Sequence, residues 1–247
     1  MVQDLPRRTA SSGPALIRLL ARLTGSDVFE SRQALPDRLG QWLGWTDAIA
    51  FSAVLNGPSA VGPATDRSGG TAWDKEYARV RAALEKAARS GGDAPSAAHR
   101  HRGRPSPVVD GVAPLMKEAT FSTYRQRYGV FQQTMESSIA NLRSRLRAAL
   151  AAKGPEMARL AGLDAALEQA LGEREMTLLA GVPASLERYF ERLKQAAAPT
   201  DASSTAVGAA TDGWLDLFQQ NMQSVMLAEL ELRLQPVEGL LKALRAG

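Results

Sequence analysis

Residues 121–152 read FSTYRQRYGVFQQTMESSIANLRSRLRAALAA, and their apolar positions follow the period of an α-helix. Nine such positions recur at a mean spacing of about 3.6 residues, with no proline in the segment. A coiled-coil seam would instead average about 3.5 residues per step. We therefore predict one long helix over about 118–152, which forms the centre of a bundle. The positions expected to face its core are Phe121, Tyr124, Tyr128, Phe131, Met135, Ile139, Leu142, Leu146 and Leu150.

The rest of the chain also favours helices, since we find no alternating apolar and polar run of the kind typical of strands. A short helix is expected at 14–23, a helix of about 20 residues ending at Asn56-Gly57, and a third from Thr71 to about Ser90. Breaks are expected at Gly154-Pro155 and at Gly181-Val182-Pro183. A last long helix carries Trp214, and Pro236 is expected to open a separate short terminal helix. The predicted fold class is all-α, a helical bundle with disordered loops.

Three stretches, 57–70, 90–114 and 199–212, are rich in Gly, Pro, Ser or Ala and lack apolar periodicity, as loops do. The predicted organisation is an N-terminal group of helices (1–92), a basic disordered linker (93–114) and a long-helix bundle (115–247). The alternative is one composite domain that also includes 14–90.

Composition limits the classes of protein to which the chain can belong. Its 247 residues are 45% hydrophobic, enough to bury a core, and it has no cysteine, so disulfides and zinc-thiolate sites are excluded. Arg18 and Arg22 interrupt the N-terminal apolar patch, and no apolar run is long enough to span a bilayer. We expect a cytoplasmic protein without a transmembrane segment, at most peripheral to the inner membrane through its partners.

The net charge of +4 is concentrated on the central helix, where residues 117–153 hold seven Lys or Arg and two Glu. At 100° per residue, arginines flank both edges of the apolar stripe. They could pair with the seven acidic residues of 156–191, within or between subunits, or they could form a nucleic-acid groove. The candidate contacts on this helix are Arg125, Arg143, Arg145 and Arg147.

A second basic element is the run HRHRGRP at 99–105, which contains Arg100, Arg102 and Arg104. It is expected to be a solvated linker that could also contact phosphates or an acidic partner. His99 and His101 lie in the same run, and a disordered loop does not hold metal ligands or a general base rigidly.

Other side chains that could carry function are few. Trp45 falls off the main stripe of its helix and is a candidate partner contact, whereas Trp42, Trp73 and Trp214 are expected to pack. No phosphate loop, HExxH motif, nucleophile elbow or dinucleotide fingerprint is present. We therefore predict no catalytic residues, no metal site and no cofactor.

Several helical segments together resemble an uncharacterised bacterial family that includes the accessory protein F of type III Zorya anti-phage systems. They are LGQWLGWTDAIAFSAVLN (39–56), the central helix, MARLAGLDAALEQAL (157–171) and REMTLLAGVPASLERYFERL (174–193). That accessory protein is encoded beside motor-like membrane proteins. The resemblance covers most helices, skips the three loops and carries no known catalytic residues.

The resemblance implies a non-catalytic accessory or interaction protein that works with a stator-type membrane complex in anti-phage defence. Its partners would be the other components of that complex, and homo-oligomerisation is left open. The alternative is a nucleic-acid-binding module that uses the basic helix and loop. An enzyme would need an ordered pocket with convergent polar groups.

Overall fold

A computed structural model describes residues 14–25, 35–57, 69–91, 120–198 and 207–246. Of these residues 92% are helical and none is in a strand, which confirms the all-α prediction. Eight helices are described, and seven of them pack together. The helices are α1 (Ala15–Thr24), α2 (Leu35–Trp42), α3 (Trp45–Asn56), α4 (Gly69–Arg89), α5 (Phe121–Ala151), α6 (Pro155–Leu179), α7 (Val182–Ala197) and α8 (Val207–Ala246).

Helix α5 is the predicted central helix, and the prediction of its core face is confirmed. The nine buried residues of α5 are the nine apolar positions that the spacing selected. Helices α4, α6, α7 and α8 all pack against α5. Because each of them covers part of the stripe, the long helix has partners along its whole length.

The N-terminal helices share the core of the C-terminal ones. Helix α1 buries Leu16 and Leu23 against α7 and α8, and α4 packs on α5 and α8. Gly25 ends α1 in the left-handed conformation (φ 68°), which a residue with a side chain rarely adopts. Between α7 and α8, the rings of Phe190 and Phe218 meet edge-to-face, with their centres 5.0 Å apart.

Two predicted helices have different bounds. The helix expected to end at Asn56 is two helices, because Gly44 is extended and its N–H donates to Asp47 Oδ2 at 2.8 Å, which caps a new helix. The terminal helix expected at Pro236 does not exist separately, since α8 runs through Pro236. The buried residues Leu234, Val237 and Leu241 continue one face across the proline, so packing maintains the helix direction there.

Helix α8 also begins at Val207, inside the stretch 199–212 that was predicted as a linker. The breaks at Gly154-Pro155 and Gly181-Val182-Pro183 are confirmed, and Pro155 and Pro183 occupy the opening turns of α6 and α7. The whole of the predicted basic linker 93–114 lies outside the described residues. None of the helices in the described ranges is both long enough and apolar enough to cross a membrane.

Candidate functional site

A groove of about 900 Å³ lies between α5, α6 and α8, with α3 at one rim. It exists because α6 packs along α5 but meets α8 only over a short stretch. Residues of α6 from Leu160 to Met176 line the groove, a length of about 24 Å at 1.5 Å per residue. The bundle therefore has an open channel where a further helix would complete the packing around α5.

The apolar spacing of residues 157–171 predicts a stripe on α6, and four members of this stripe line the channel: Leu160, Leu163, Leu167 and Leu171. Leu160 and Leu167 of this stripe are 40% exposed, and Met176, which lies outside the stripe, is 53% exposed. Only Ala161 and Leu179 of α6 are buried. Large apolar side chains at this exposure are uncommon on a free surface when they are contiguous, and they mark a contact surface.

Helix α3 extends the apolar surface beyond the groove. It packs mainly on α6, where Val54 approaches Gly162, and Phe51 reaches the groove. No residue of α3 is buried, although the helix is apolar on most sides. Trp45, the predicted partner contact, is 82% exposed, which leaves its indole accessible.

Two arginines of α5 and two carboxylates of α6 form an ion-pair cluster in the groove wall. Arg143 donates to both carboxylate oxygens of Asp164 at 2.8 Å, and Arg147 lies 2.6 Å from Glu168. Burial acts to lower the pKa of Arg143, but the hydrogen bond and charge of Asp164 outweigh it and the pKa is raised. The ion pairs of both arginines hold α6 onto α5.

Two further carboxylates lining the groove have no cationic partner among the described residues. Glu136 stands on α5 and Glu175 on α6, and both side chains are exposed. Neither takes part in an ion pair within the described part of the chain, although the charge of Glu175 acts on Arg143. The lining of the groove therefore carries negative charge that no described side chain pairs with.

A buried polar network lies under the groove, between α5 and α8. Glu229 is fully buried and accepts a hydrogen bond from the Tyr128 hydroxyl at 2.6 Å. Gln132 Nε2 and Arg233 Nε donate to Glu229 Oε1 at 3.0 and 3.1 Å. The Arg233 side chain, 11% exposed, also lines the groove, so it carries this network to the surface.

The other predicted contacts of the central helix pair elsewhere. Arg125 forms an ion pair with Glu187 of α7. Arg145 Nη1 lies 2.8 Å from Glu76 of α4, and its guanidinium is 5.3 Å from the Trp73 ring centre. Four predicted arginines thus contact three different helices and form no single patch. Arg100, Arg102, Arg104 and the two histidines lie outside the described residues.

Apolar periodicity missed both the groove and the Glu229 network. An apolar stripe indicates that a helix has an apolar face, but it does not indicate whether another helix covers that face. For Glu229 a signal was present, since a carboxylate three residues after the buried Met226 and four before Arg233 lies on the core face. Within the described ranges, no group of His, Asp or Glu side chains could hold a metal ion.

Comparison with known proteins gives one match. No curated protein and no solved structure is significantly similar to the chain, and nothing found links it to Zorya systems. The model of an uncharacterised family matches residues 1–246, nearly the whole chain. The chain therefore belongs to the family described as protein of unknown function DUF3348.

Proposed function

We propose that this protein is a non-catalytic helical scaffold that binds another protein in the groove between α5, α6 and α8. The observation that carries the proposal is an apolar face of α6 that the described helices leave largely uncovered. Leu160 and Leu167 lie along this face beside the groove, and Met176 lines the groove further along the same helix, about 24 Å from Leu160. A partner that covered these side chains would remove them from water, which is the main favourable contribution to most associations.

The ion pairs of the bundle support a scaffold role for the helices around the groove. Arg143, Arg147, Asp164 and Glu168 fix α6 against α5 through bonds that leave its outer apolar face free. A preformed groove reduces the entropy lost on binding, so affinity would not depend on ordering these helices first.

Co-purification tests this function in cells that express the chain natively. A Leu167→Ser/Met176→Ser variant removes two of the three exposed large apolar side chains that line the groove. Leu178→Ser/Leu217→Ser is the matched control, since Leu178 and Leu217 are 67% and 46% exposed and do not line the groove. We expect proteins recovered with the natural chain to be lost with the groove variant and retained with the control. Identical recovery with all three chains would contradict the proposal.

The cellular setting is a finer proposal that rests on the sequence resemblance. We propose that the scaffold works with a stator-type membrane complex in anti-phage defence, at the cytoplasmic side. The test is whether a stator-like membrane protein encoded in the neighbourhood co-purifies with the chain, and whether deleting the gene restores phage growth. A neighbourhood without such a protein, together with no change in phage growth, would overturn this setting without affecting the groove.

Nucleic-acid binding is the second candidate, motivated by the positive charge of residues 117–153 and of HRHRGRP. Because Arg143 and Arg147 hold α6, reversing their charge would damage the fold as well as any phosphate contact. The clean test reverses Arg100, Arg102 and Arg104 to Glu. On this candidate, affinity for a DNA duplex falls steeply with salt and is lost in the triple variant. Unchanged affinity would remove the basic run as the site.

A further inference from the structure

We propose that the occupant of the groove is an amphipathic α-helix of a partner protein that carries basic residues beside its apolar face. This inference rests on the proposed function, since it specifies the partner of the same groove. The shape of the groove and the charge of its lining each favour this class of ligand.

The shape of the groove fits a helix. Helices α6 and α8 both pack on α5, yet they barely touch each other, so the space between them has the position of a missing bundle helix. A length of about 24 Å corresponds to about 16 helical residues, or four to five turns. An apolar face presented at i, i+3, i+4 and i+7 would meet the exposed leucines of α6.

Small residues in the lining let a helix backbone approach closely. Ala140 of α5, Gly172 of α6 and Gly239 of α8 all line the groove. A Cβ atom added at Gly172 or Gly239 would meet nothing within 4 Å, so open space lies above both positions. Interaxial distances between helices are shortest where such residues form the contact.

The charge of the groove selects a basic partner. Its lining holds four carboxylates and two guanidiniums, although the whole chain has a net charge of +4. Arg143 is neutralised by Asp164, and Arg233 by the buried Glu229. Glu136 on α5 and Glu175 on α6 remain, and both could pair with lysines or arginines that flank the apolar face of an inserted helix.

The same charges disfavour other occupants. A nucleic acid would bring phosphates against Glu136 and Glu175. A second copy would have to offer a basic amphipathic helix. Helices α1 and α5 carry exposed arginines, but their apolar faces are already buried in their own core. Among the described helices, a second copy therefore offers no free helix of this kind, and the inferred occupant is a helix of another protein.

Two synthetic peptides of about 16 residues test the inference with the full-length chain. They share one apolar face, and the positions beside it are Lys in one peptide and Glu in the other. By fluorescence anisotropy at low salt we expect the Lys peptide to bind at least about tenfold more tightly than the Glu peptide, with the difference shrinking as salt rises.

Charge-reversal variants place the binding site. Glu136→Lys/Glu175→Lys is expected to remove or invert the preference for the Lys peptide. Glu173→Lys is the matched control, because Glu173 lies on the same helix, two residues from Glu175, and does not line the groove. It should leave the preference unchanged, and circular dichroism should give equal helix content for all variants.

Three outcomes would overturn the inference. Equal binding of both peptides, or tighter binding of the Glu peptide, would rule out a basic partner, although the groove could still bind a protein. Binding that Leu167→Ser/Met176→Ser does not weaken moves the site elsewhere and overturns the proposed function as well. Dimerisation of the natural chain in sedimentation experiments, abolished by that variant and competing with the peptide, would make the occupant a second copy.

Discussion

At the scale of single residues, the buried carboxylate of Glu229 is the least expected feature of the core. A charge without exposure to water is tolerated because three donors, from Tyr128, Gln132 and Arg233, surround it. Arg233 is the only cation among these donors, so Arg233 and Glu229 neutralise each other. The pair links the interior of the α5–α8 interface to the groove.

Replacing Glu229 with leucine should lower the free energy of unfolding by about 3 kcal/mol, because Arg233 and the Tyr128 hydroxyl lose their acceptor. Adding Arg233→Met should recover more than half of that loss, since the unpaired charge is then gone. Urea denaturation measures both. Glu231→Leu, on the same helix with a side chain 64% exposed, is the control and should change stability by less than about 1 kcal/mol. A double variant as unstable as the single one would contradict the pairing.

Tyr128 predicts how stability depends on alkaline pH. Burial, and then the charge and hydrogen bond of Glu229, hold the pKa of Tyr128 well above its ordinary value. The folded chain therefore keeps this proton above pH about 10 while the unfolded chain loses it, so stability falls as pH rises there. Urea denaturation of Tyr128→Phe at several pH values should give a shallower fall. The hydroxyl of Tyr77 is partly exposed, so Tyr77→Phe should change the dependence of stability on pH less. The same dependence on pH for all three chains would contradict the argument.

At the scale of elements, α3 is held by a narrow contact on α6. A Cβ atom at Gly162 would lie 3.0 Å from Val54 Cγ1, so the glycine allows the two helices to approach. No residue of α3 is buried, and its attachment therefore depends on few side chains. We expect α3 to open more readily than the helices of the core.

Gly162→Leu should detach α3 without unfolding the bundle. The leucine cannot fit beside Val54, and amide hydrogen exchange in residues 45–57 should become at least about tenfold faster while α5 and α8 stay protected. Gly129→Leu is the matched control, because a Cβ there meets nothing within 4 Å. Unchanged exchange in 45–57 would mean that other contacts hold α3.

At the scale of the whole molecule, helices from both ends of the chain share one core. Leu23 of α1 and Leu241 of α8 belong to the same buried cluster, as do residues of α4, α5 and α7. The division into 1–92 and 115–247 thus stays a prediction that unfolding experiments can test against the composite alternative.

Scanning calorimetry should give one main transition for this core. Leu23→Ala and Leu241→Ala, at opposite ends of the sequence, should each lower its midpoint, since cavities in a core cost about 2–5 kcal/mol. Ile17→Ala, where the side chain is 41% exposed, is the control and should lower it much less. Two separate transitions, with Leu23→Ala affecting only one, would support independent domains.

Sequence periodicity predicted the helices well where a single stripe decided the structure, as for the nine core positions of α5. It failed where local chemistry competed with packing, at Gly44, which starts a helix, and at Pro236, which does not. The groove could not be predicted, because the spacing of Leu160 and Leu167 is the same whether a neighbour covers them or not. Which helix faces which is decided by long-range contacts that a single apolar pattern does not encode.

Trp45 offers a built-in optical reporter. Its indole is 82% exposed at the start of α3, whereas Trp42, Trp73 and Trp214 are half-buried. Its emission should be red-shifted and readily quenched by acrylamide. A ligand seated along α3 would shift that emission toward the blue and shield the ring from the quencher, so contact at this rim could be followed without any label.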